Sequence, residues 1–312
     1  MLDRYIQLLR EGEIVAFPTE TVYGLGADAW NPSAIQKIFD RKERPTDNPL
    51  IVHVASIPSV EQFAREISAD ARLLMQRFWP GPLTLIFKKK PGVLDLVTAG
   101  LDTVGVRWPS HPLSQELIAG AGPLAAPSAN TSGRPSPTKA QHVREDFGEQ
   151  FPVIDAGETA IGLESTVLDL SRQPYRIYRP GAISKQEIEE ATGKKVEQDA
   201  GDRSPDTETR SPGTKYTHYA PDAAVRWLDD DETIDIDSAT LYLLHSRRAG
   251  QEGKNIVAYE GDFQQLAREL YDRFRQADHR GYNTVAIEPF TGGDREDPLV
   301  PALENRIKKA VG

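Results

Sequence analysis

The sequence predicts an α/β protein in two parts. The larger, N-terminal part has a twisted mixed sheet with helices packed on it, and a smaller α/β unit follows. Three observations predict this. Short apolar runs alternate with amphipathic stretches of helical period from residue 1 to about 190. Several of these runs follow one another with no helix between, which fits a mixed sheet better than a strict βαβ repeat. Then VEQDAGDRSPDTETR (Val196 to Arg210), almost free of large apolar residues, interrupts the pattern before it resumes near Asp222. A segment of that composition cannot bury enough surface to order itself and reads as a linker. The resulting division is 1–193, 194–222 and 223–312, and 312 residues is a two-domain length.

The elements follow in order. Ile14 to Phe17 reads as a strand. Ser33 is a candidate N-cap for a helix over Ala34 to Glu43, and Pro45 pushes Arg44 out of helical conformation. Leu50 to Val54 is a strand; Ser68 caps a helix towards Phe78, broken at Pro80-Gly81-Pro82. Leu83 to Phe87, Thr103 to Arg107, Leu124 to Ala126, Val153-Ile154, Ser165 to Leu170 and Arg176 to Tyr178 are further strands. Ser184 and Glu187 form a capping-box pattern for a helix ending near Gly193. In the second unit, strands are expected at Ala224 to Leu228, Thr240 to Leu244, Asn255 to Tyr259 and Thr284 to Ile287. Its helices are expected at Gln264 to Ala277, where Leu266, Leu270 and Phe274 form one stripe, and at Leu299 to Ala310.

Composition narrows the function. With no cysteine there can be no disulfide, thiolate zinc site, iron–sulfur cluster or cysteine nucleophile. None of the six histidines has zinc-ligand spacing to another, and no serine sits in a GxSxG elbow. No apolar stretch approaches a membrane span, and the N-terminus lacks a signal-peptide pattern, so a soluble cytoplasmic protein is expected. The net charge of −10 argues against a simple nucleic-acid coat, because counterion release favours basic proteins. An anionic ligand must then be held by a local cluster of cations.

Such clusters are legible at strand ends. Lys42 falls on the apolar face of its helix with Ile35, Ile38 and Phe39, so it either snorkels to the core's edge or joins Arg44 in binding an anion. PTETVYGLGADA (Pro18 to Ala29) offers Thr19, Glu20 and Thr21 after a strand. It reads as a turn in which Gly24 and Gly26 allow close backbone approach or positive φ. APSANTSGRPSPT (Ala126 to Thr138) is a small-hydroxyl loop suited to an anion-binding nest, with Thr138 a cap for the next helix. In Thr103 to Arg107, alternation sets Thr103, Gly105 and Arg107 on the face opposite Val104 and Val106. His53 likewise shares a face with Ile51, away from Leu50, Val52 and Val54. GLESTV places Ser165 at a strand start, and Arg179 precedes Pro180-Gly181. SPGTKYTHYAP (Ser211 to Pro221) packs Lys215, Tyr216, His218 and Tyr219 behind the flexible tether, a pattern suited to a lid.

These motifs, together with IFDRKERPTDNPLIVHV, FWPGPLT, VGVRWP and YRPGAI and in this order, resemble the long form of the YrdC-domain family, the L-threonylcarbamoyl-AMP synthases. The resemblance implies a YrdC-like sheet, a linker and a smaller Rossmann-like C-terminal domain. It implies a nucleotidyl transfer in which L-threonine, bicarbonate or CO₂, and ATP become threonylcarbamoyl-AMP and pyrophosphate. Mg²⁺ would be carried by the ATP phosphates, not by a protein metal site. A downstream threonylcarbamoyl-transferase complex would act on tRNA; no membrane or DNA partner is implied.

Carried over position by position, Thr21, His53, Arg107, Ala126 and Ser165 match the threonine site. Arg44, Asn48, Thr103, Ser128, Ser136 and Arg179 match the ATP site, with Tyr216 or Tyr219 closing over it. Lys42, Arg44, Ser128 and Asn130 match the family's polar tetrad beside the phosphates. Two other readings compete. One is an RNA-binding module using the same positive concavity. The other is a carbamoyl-transfer enzyme with the same domain, though those proteins add zinc-binding cysteines that this chain lacks.

Overall fold

A computed structural model describes residues 2–198, 219–229, 232–246 and 253–311. The first unit is built on a mixed sheet of nine strands among the described residues. They are β1 (Val15–Phe17), β2 (Gly24–Asp28), β3 (Ile51–His53), β4 (Leu83–Lys88), β5 (Thr103–Arg107), β6 (Leu124–Ala126), β7 (Thr166–Asp169), β8 (Tyr175–Arg179) and β9 (Val196–Gln198). Their spatial order is β1-β2-β6-β3-β5-β4-β7-β8-β9. Parallel pairs (β3–β5, β4–β7, β8–β9) alternate with antiparallel ones, so the sheet is mixed as expected.

Helices α1 (Asp3–Arg10), α2 (Pro32–Lys42), α3 (Ala69–Phe78), α4 (Asp95–Thr98), α5 (Pro112–Ala121), α6 (Ala140–Phe147) and α7 (Lys185–Thr192) surround this sheet. Ile35, Ile38, Leu74 and Ile188 join Leu50, Val52, Val54, Val104 and Val106 in the main core. Leu9, Leu117 and Ile118 cover Phe17 and Leu124 in a second one. Asn31, not Ser33, caps α2: its side chain accepts from the amides of Ser33 and Ala34, and Pro32 takes the first helical position. α2 stops at Glu43 in left-handed conformation (φ 52°), before Pro45 can act. Ser184 and Glu187 form both halves of the expected capping box.

Four further expectations are corrected. The segment read as a turn at 18–29 contains β2, which pairs with β1 and β6. Gly24 and Gly26 do not need positive φ. They are needed because Phe17 lies under β2, and a Cβ on Gly26 would sit 2.8 Å from Phe17 Cε1. Val153 makes only a single bridge to Ala16. Lys139, not Thr138, stands at the N-cap of α6. Val196 to Gln198, read as the start of the linker, add an edge strand to β8.

The second unit has a parallel sheet in the order β10-β13-β11-β12, formed by β10 (Ala224–Trp227), β11 (Thr240–Leu244), β12 (Ile256–Ala258) and β13 (Thr284–Ile287). Helices α8 (Phe263–His279) and α9 (Val300–Val311) pack on it. The stripe Leu266, Leu270, Phe274 is buried as its spacing requires. The core of this unit also takes in Val22, Leu163 and Tyr219, so the two units share one apolar interior. Burying a leucine such as Leu163 is worth about 1.5–3 kcal/mol. Gly162 makes the approach possible: at φ +82°, its absent Cβ would lie 2.3 Å from the Cα of Arg268 in α8. No helix among the described residues is long and apolar enough to cross a membrane.

Candidate active site

Strand ends of the first sheet open into a cleft. β3 sets one wall. Leu50, Val52 and Val54 enter the core, so period-two alternation turns Ile51 and His53 to the cleft. On β5, Val104 and Val106 are core, and Arg107 lines the cleft. Thr21, Ala126 and Ser165 complete this side.

Arg107 is buried and oriented by three groups. Nε donates to the Gly81 carbonyl (3.2 Å) and Nη1 to Thr21 Oγ1 (2.9 Å). Nη2 lies 2.7 Å from Glu20 Oε1, an ion pair without hydrogen-bond alignment, so that Nη2 makes no hydrogen bond. Glu20 is itself fixed by the amide of Ser110 (3.1 Å). The guanidinium is thus held rigid with donor capacity left, as a carboxylate clamp requires. His53 Nδ1 lies 3.1 Å from the Ile51 carbonyl, which assigns the proton to Nδ1 and leaves Nε2 as an acceptor. Burial, and then the charge of Arg107, push the His53 pKa down to about 3, so the ring is neutral.

Two further basic residues, Lys42 and Arg44, line the same cleft. Lys42 does not snorkel: it is 1% exposed. Its Nζ donates to the carbonyls of Ser128 (2.7 Å) and Asn130, which belong to the small-hydroxyl loop. Burial, then the neighbouring Arg44, hold its pKa well below the usual lysine range, and Asp146 opposes them. Ser128 Oγ donates to Asn130 Oδ1, and Asn130 Nδ2 donates to the carbonyls of Thr131 (2.8 Å) and Arg134 (3.0 Å). Lys42 and Asn130 therefore shape the loop as well as facing the cleft. Arg44 Nη2 reaches the carbonyls of Asn48 (3.4 Å) and Pro49 (3.3 Å).

The far end is closed by Ser165, Arg179 and Tyr219. Arg179 donates through Nε to the Ser165 carbonyl (3.1 Å) and through Nη2 to Ser165 Oγ (3.2 Å). Ser165 Oγ also lies 2.8 Å from Thr84 Oγ1.

The cleft brings together Thr21, Lys42, Arg44, His53, Arg107, Ala126, Ser128, Asn130, Ser165, Arg179 and Tyr219, as the sequence predicts. Three expected residues do not line it. Asn48 is buried, and its carbonyl supports Arg44. Thr103 lines a small neighbouring hollow with Thr84, Gly105 and Val167. Ser136 is buried and donates to Glu164 Oε1 (2.6 Å). Lys215, Tyr216 and His218 lie outside the described residues. Sequence reasoning missed Glu164, which looked like one more acid in GLESTV, and gave Glu20 no partner. Their signal is an acid beside small hydroxyl residues at a strand end, too common to act on alone. Among the described residues no three His, Asp or Glu groups are placed to hold a metal. The lining donors suit phosphates and carboxylates, not a bare cation.

The fold and this cleft define a YrdC-type protein: residues 7–181 match the family described as "Telomere recombination", Sua5/YciO/YrdC. Residues 183–312 match "Threonylcarbamoyl-AMP synthase, C-terminal domain". The chain belongs to the threonylcarbamoyl-AMP synthase family, in its two-domain form. It is similar to the crystal structure of Pyrococcus abyssi Sua5 complexed with L-threonine, with a TM-score of 0.90, 40% identity and coverage of 100% of this chain and 94% of that one. The threonylcarbamoyl-AMP synthase of Bacillus subtilis is 42% identical over 98% of this chain and 91% of its own length. A putative threonylcarbamoyl-AMP synthase of Mycobacterium tuberculosis is 37% identical over 59% of this chain and 86% of its own length.

Proposed function

We propose that this cleft makes L-threonylcarbamoyl-AMP and pyrophosphate from L-threonine, bicarbonate or CO₂, and ATP, for N6-threonylcarbamoyladenosine in tRNA. The observation that carries it is that a single cleft is lined both by a rigid carboxylate clamp, Arg107, and by three further basic residues, Lys42, Arg44 and Arg179. Two anionic reactants must meet there in a protein of net charge −10.

In the proposed reaction, the threonine amine bonds to the carbon of CO₂ and loses a proton, giving a carbamate. A carbamate oxygen then forms a bond to the ATP α-phosphorus. The bond from that phosphorus to the bridging oxygen breaks, and pyrophosphate leaves with the electron pair. No protein nucleophile is required; orientation and charge neutralisation supply the rate.

Arg107 and Thr21 take the threonine carboxylate. Neutral His53 presents Nε2 as an acceptor for a threonine N–H or O–H, with Ser165 and the Ala126 backbone beside it. Lys42, Arg44, Ser128, Asn130 and Arg179 face the triphosphate, with Tyr219 over it and Asn48, Thr103 and Ser136 as supports at the site's edge. Bound Mg²⁺ would neutralise phosphate charge; it arrives with ATP, since the cleft's own lining is cationic. Lys215, Tyr216 and His218 belong to the proposed lid, which would keep water from the carbamate. The product passes to a transferase complex acting on tRNA, in the cytoplasm.

Incubation with ATP, Mg²⁺, L-threonine and bicarbonate, followed by rapid mass spectrometry, tests this. The adenylate and pyrophosphate should form together and require both threonine and bicarbonate. Pyrophosphate released equally well without threonine overturns the proposal, as does tight, salt-sensitive tRNA binding with no ATP turnover.

A further inference from the structure

One buried charge lining the cleft has no part in the expected site. Glu164, one residue before Ser165, is a buried carboxylate at the cleft's far end. It accepts from Ser136 Oγ (2.6 Å), from Tyr271 of α8 (3.0 Å) and from Arg306 Nε of α9 (2.7 Å). Two of these three donors come from the C-terminal unit. Burial pushes the carboxyl pKa up, but Arg306 and then Arg179 outweigh it and bring it down to about 2.

Arg306 is itself completely buried, on an otherwise apolar helix face. Nη1 donates to Asn305 Oδ1 (2.7 Å) and Nη2 reaches the Glu164 carbonyl (3.4 Å). Its guanidinium also lies 5.7 Å from the ring centroid of Tyr219, within cation–π range. Tyr219 packs against Tyr271 as well, with centroids 5.2 Å apart. Tyr219 holds a left-handed backbone (φ 71°), a strained conformation for a side-chain-bearing residue that needs such packing to persist. Its hydroxyl shares a hydrogen bond with Arg179. Gly181 presses the Arg179 turn onto the same loop: its absent Cβ would lie 2.4 Å from the amide of Thr166 and 2.7 Å from the Glu164 carbonyl.

Glu164 is thus an acid placed where the nucleotide needs a cation. Unopposed, it would take Arg179 as its counter-charge and cancel the positive field there. We infer that Arg306 and Tyr271 are positioning residues of the C-terminal domain, occupying Glu164 so that Arg179 and Tyr219 remain aligned for the nucleotide. The inference rests on the reading of the cleft as an ATP site. It gives the second domain a part in the active site without placing any of its groups on a reacting atom.

The test is ATP·Mg²⁺ titration of the full chain at saturating L-threonine, with threonine titrated separately, below the melting temperature of every variant. Arg306→Met should weaken ATP binding about tenfold, corresponding to ~1.4 kcal/mol, and leave threonine affinity within about twofold. Adding Glu164→Gln to Arg306→Met removes the competing acid and should restore most of the ATP affinity. A purely structural role would change the melting temperature alone. Unchanged ATP affinity in Arg306→Met, or no recovery in the double variant, overturns the inference. If Arg306→Met does not fold, Tyr271→Phe is read instead, because it deletes one hydroxyl and keeps the packing. A rise of about threefold in ATP Kd is expected, and none overturns the inference. A wild-type chain that releases no pyrophosphate from ATP, threonine and bicarbonate overturns the reading of the cleft as well. An active wild type with an unaltered Arg306→Met overturns this inference alone.

Discussion

Replacing Arg107 by methionine separates its two tasks, since the same guanidinium faces the cleft and neutralises Glu20. Losing a hydrogen bond to a charged group costs about 1.5–3 kcal/mol, so threonine Kd should rise about 10- to 160-fold. Removing one member of a buried ion pair costs stability too, by about 3–5 kcal/mol, because the surviving charge stays buried. Glu20 is 8% exposed and retains only the Ser110 amide at Oε2, so the upper part of that range applies. Adding Glu20→Gln should recover most of the stability, since no unpaired charge remains, but none of the threonine affinity. Calorimetric titration with L-threonine and thermal melts on the wild type, the single variant and the double variant give both quantities. A double variant that regains threonine affinity along with stability refutes the carboxylate-clamp argument, as does unchanged affinity in Arg107→Met.

Three further outcomes are expected. Lys42→Met should slow pyrophosphate release about 100-fold or more, as loss of a preorganised donor does, while threonine Kd stays within about twofold; near-normal release would leave Lys42 only a packing role. Neutral His53 makes stability pH-dependent: its folded pKa of about 3 lies below the ordinary 6.5, so the unfolded chain binds the extra proton. Stability is then fully present above pH 6.5 and falls by up to about 1.4 kcal/mol per unit towards pH 3. Glu164 acts in the same direction only between 4.5 and about 2. Between pH 4.5 and 6.5, denaturant melts of His53→Asn should therefore show a shallower slope than wild type, and parallel curves would contradict a neutral His53. Gly162→Ala would place a methyl 2.3 Å from the α8 backbone, so it should cost about 2 kcal/mol or more in a melt. An unchanged Tm would mean that α8 does not seat there.

Much of the cleft was legible because strand alternation is a strong constraint. The sets Leu50/Val52/Val54 and Val104/Val106 were bound to face a core, which left His53 and Arg107 facing away from it. Lys42 was harder. A lysine on an apolar stripe normally escapes to solvent, and only the carbonyls of residues 128 and 130, far along the chain, let it stay inside. β2 was hidden because its glycines read as turn residues, when they record the bulk of Phe17 beneath them. Asn31 lost to Ser33 because adjacent polar residues compete for one cap. The Glu164–Arg306 pair was illegible in principle: the partners are 142 positions apart, and neither local pattern contains the other.

Leu163 carries a consequence for how such a protein can be divided. A boundary drawn along the chain near the linker leaves this leucine with the first unit, yet in space it belongs to the second. Calorimetry should record one cooperative endotherm, not two. In this chain, separating the units at that boundary would leave a greasy hole in one fragment and an uncovered leucine on the other.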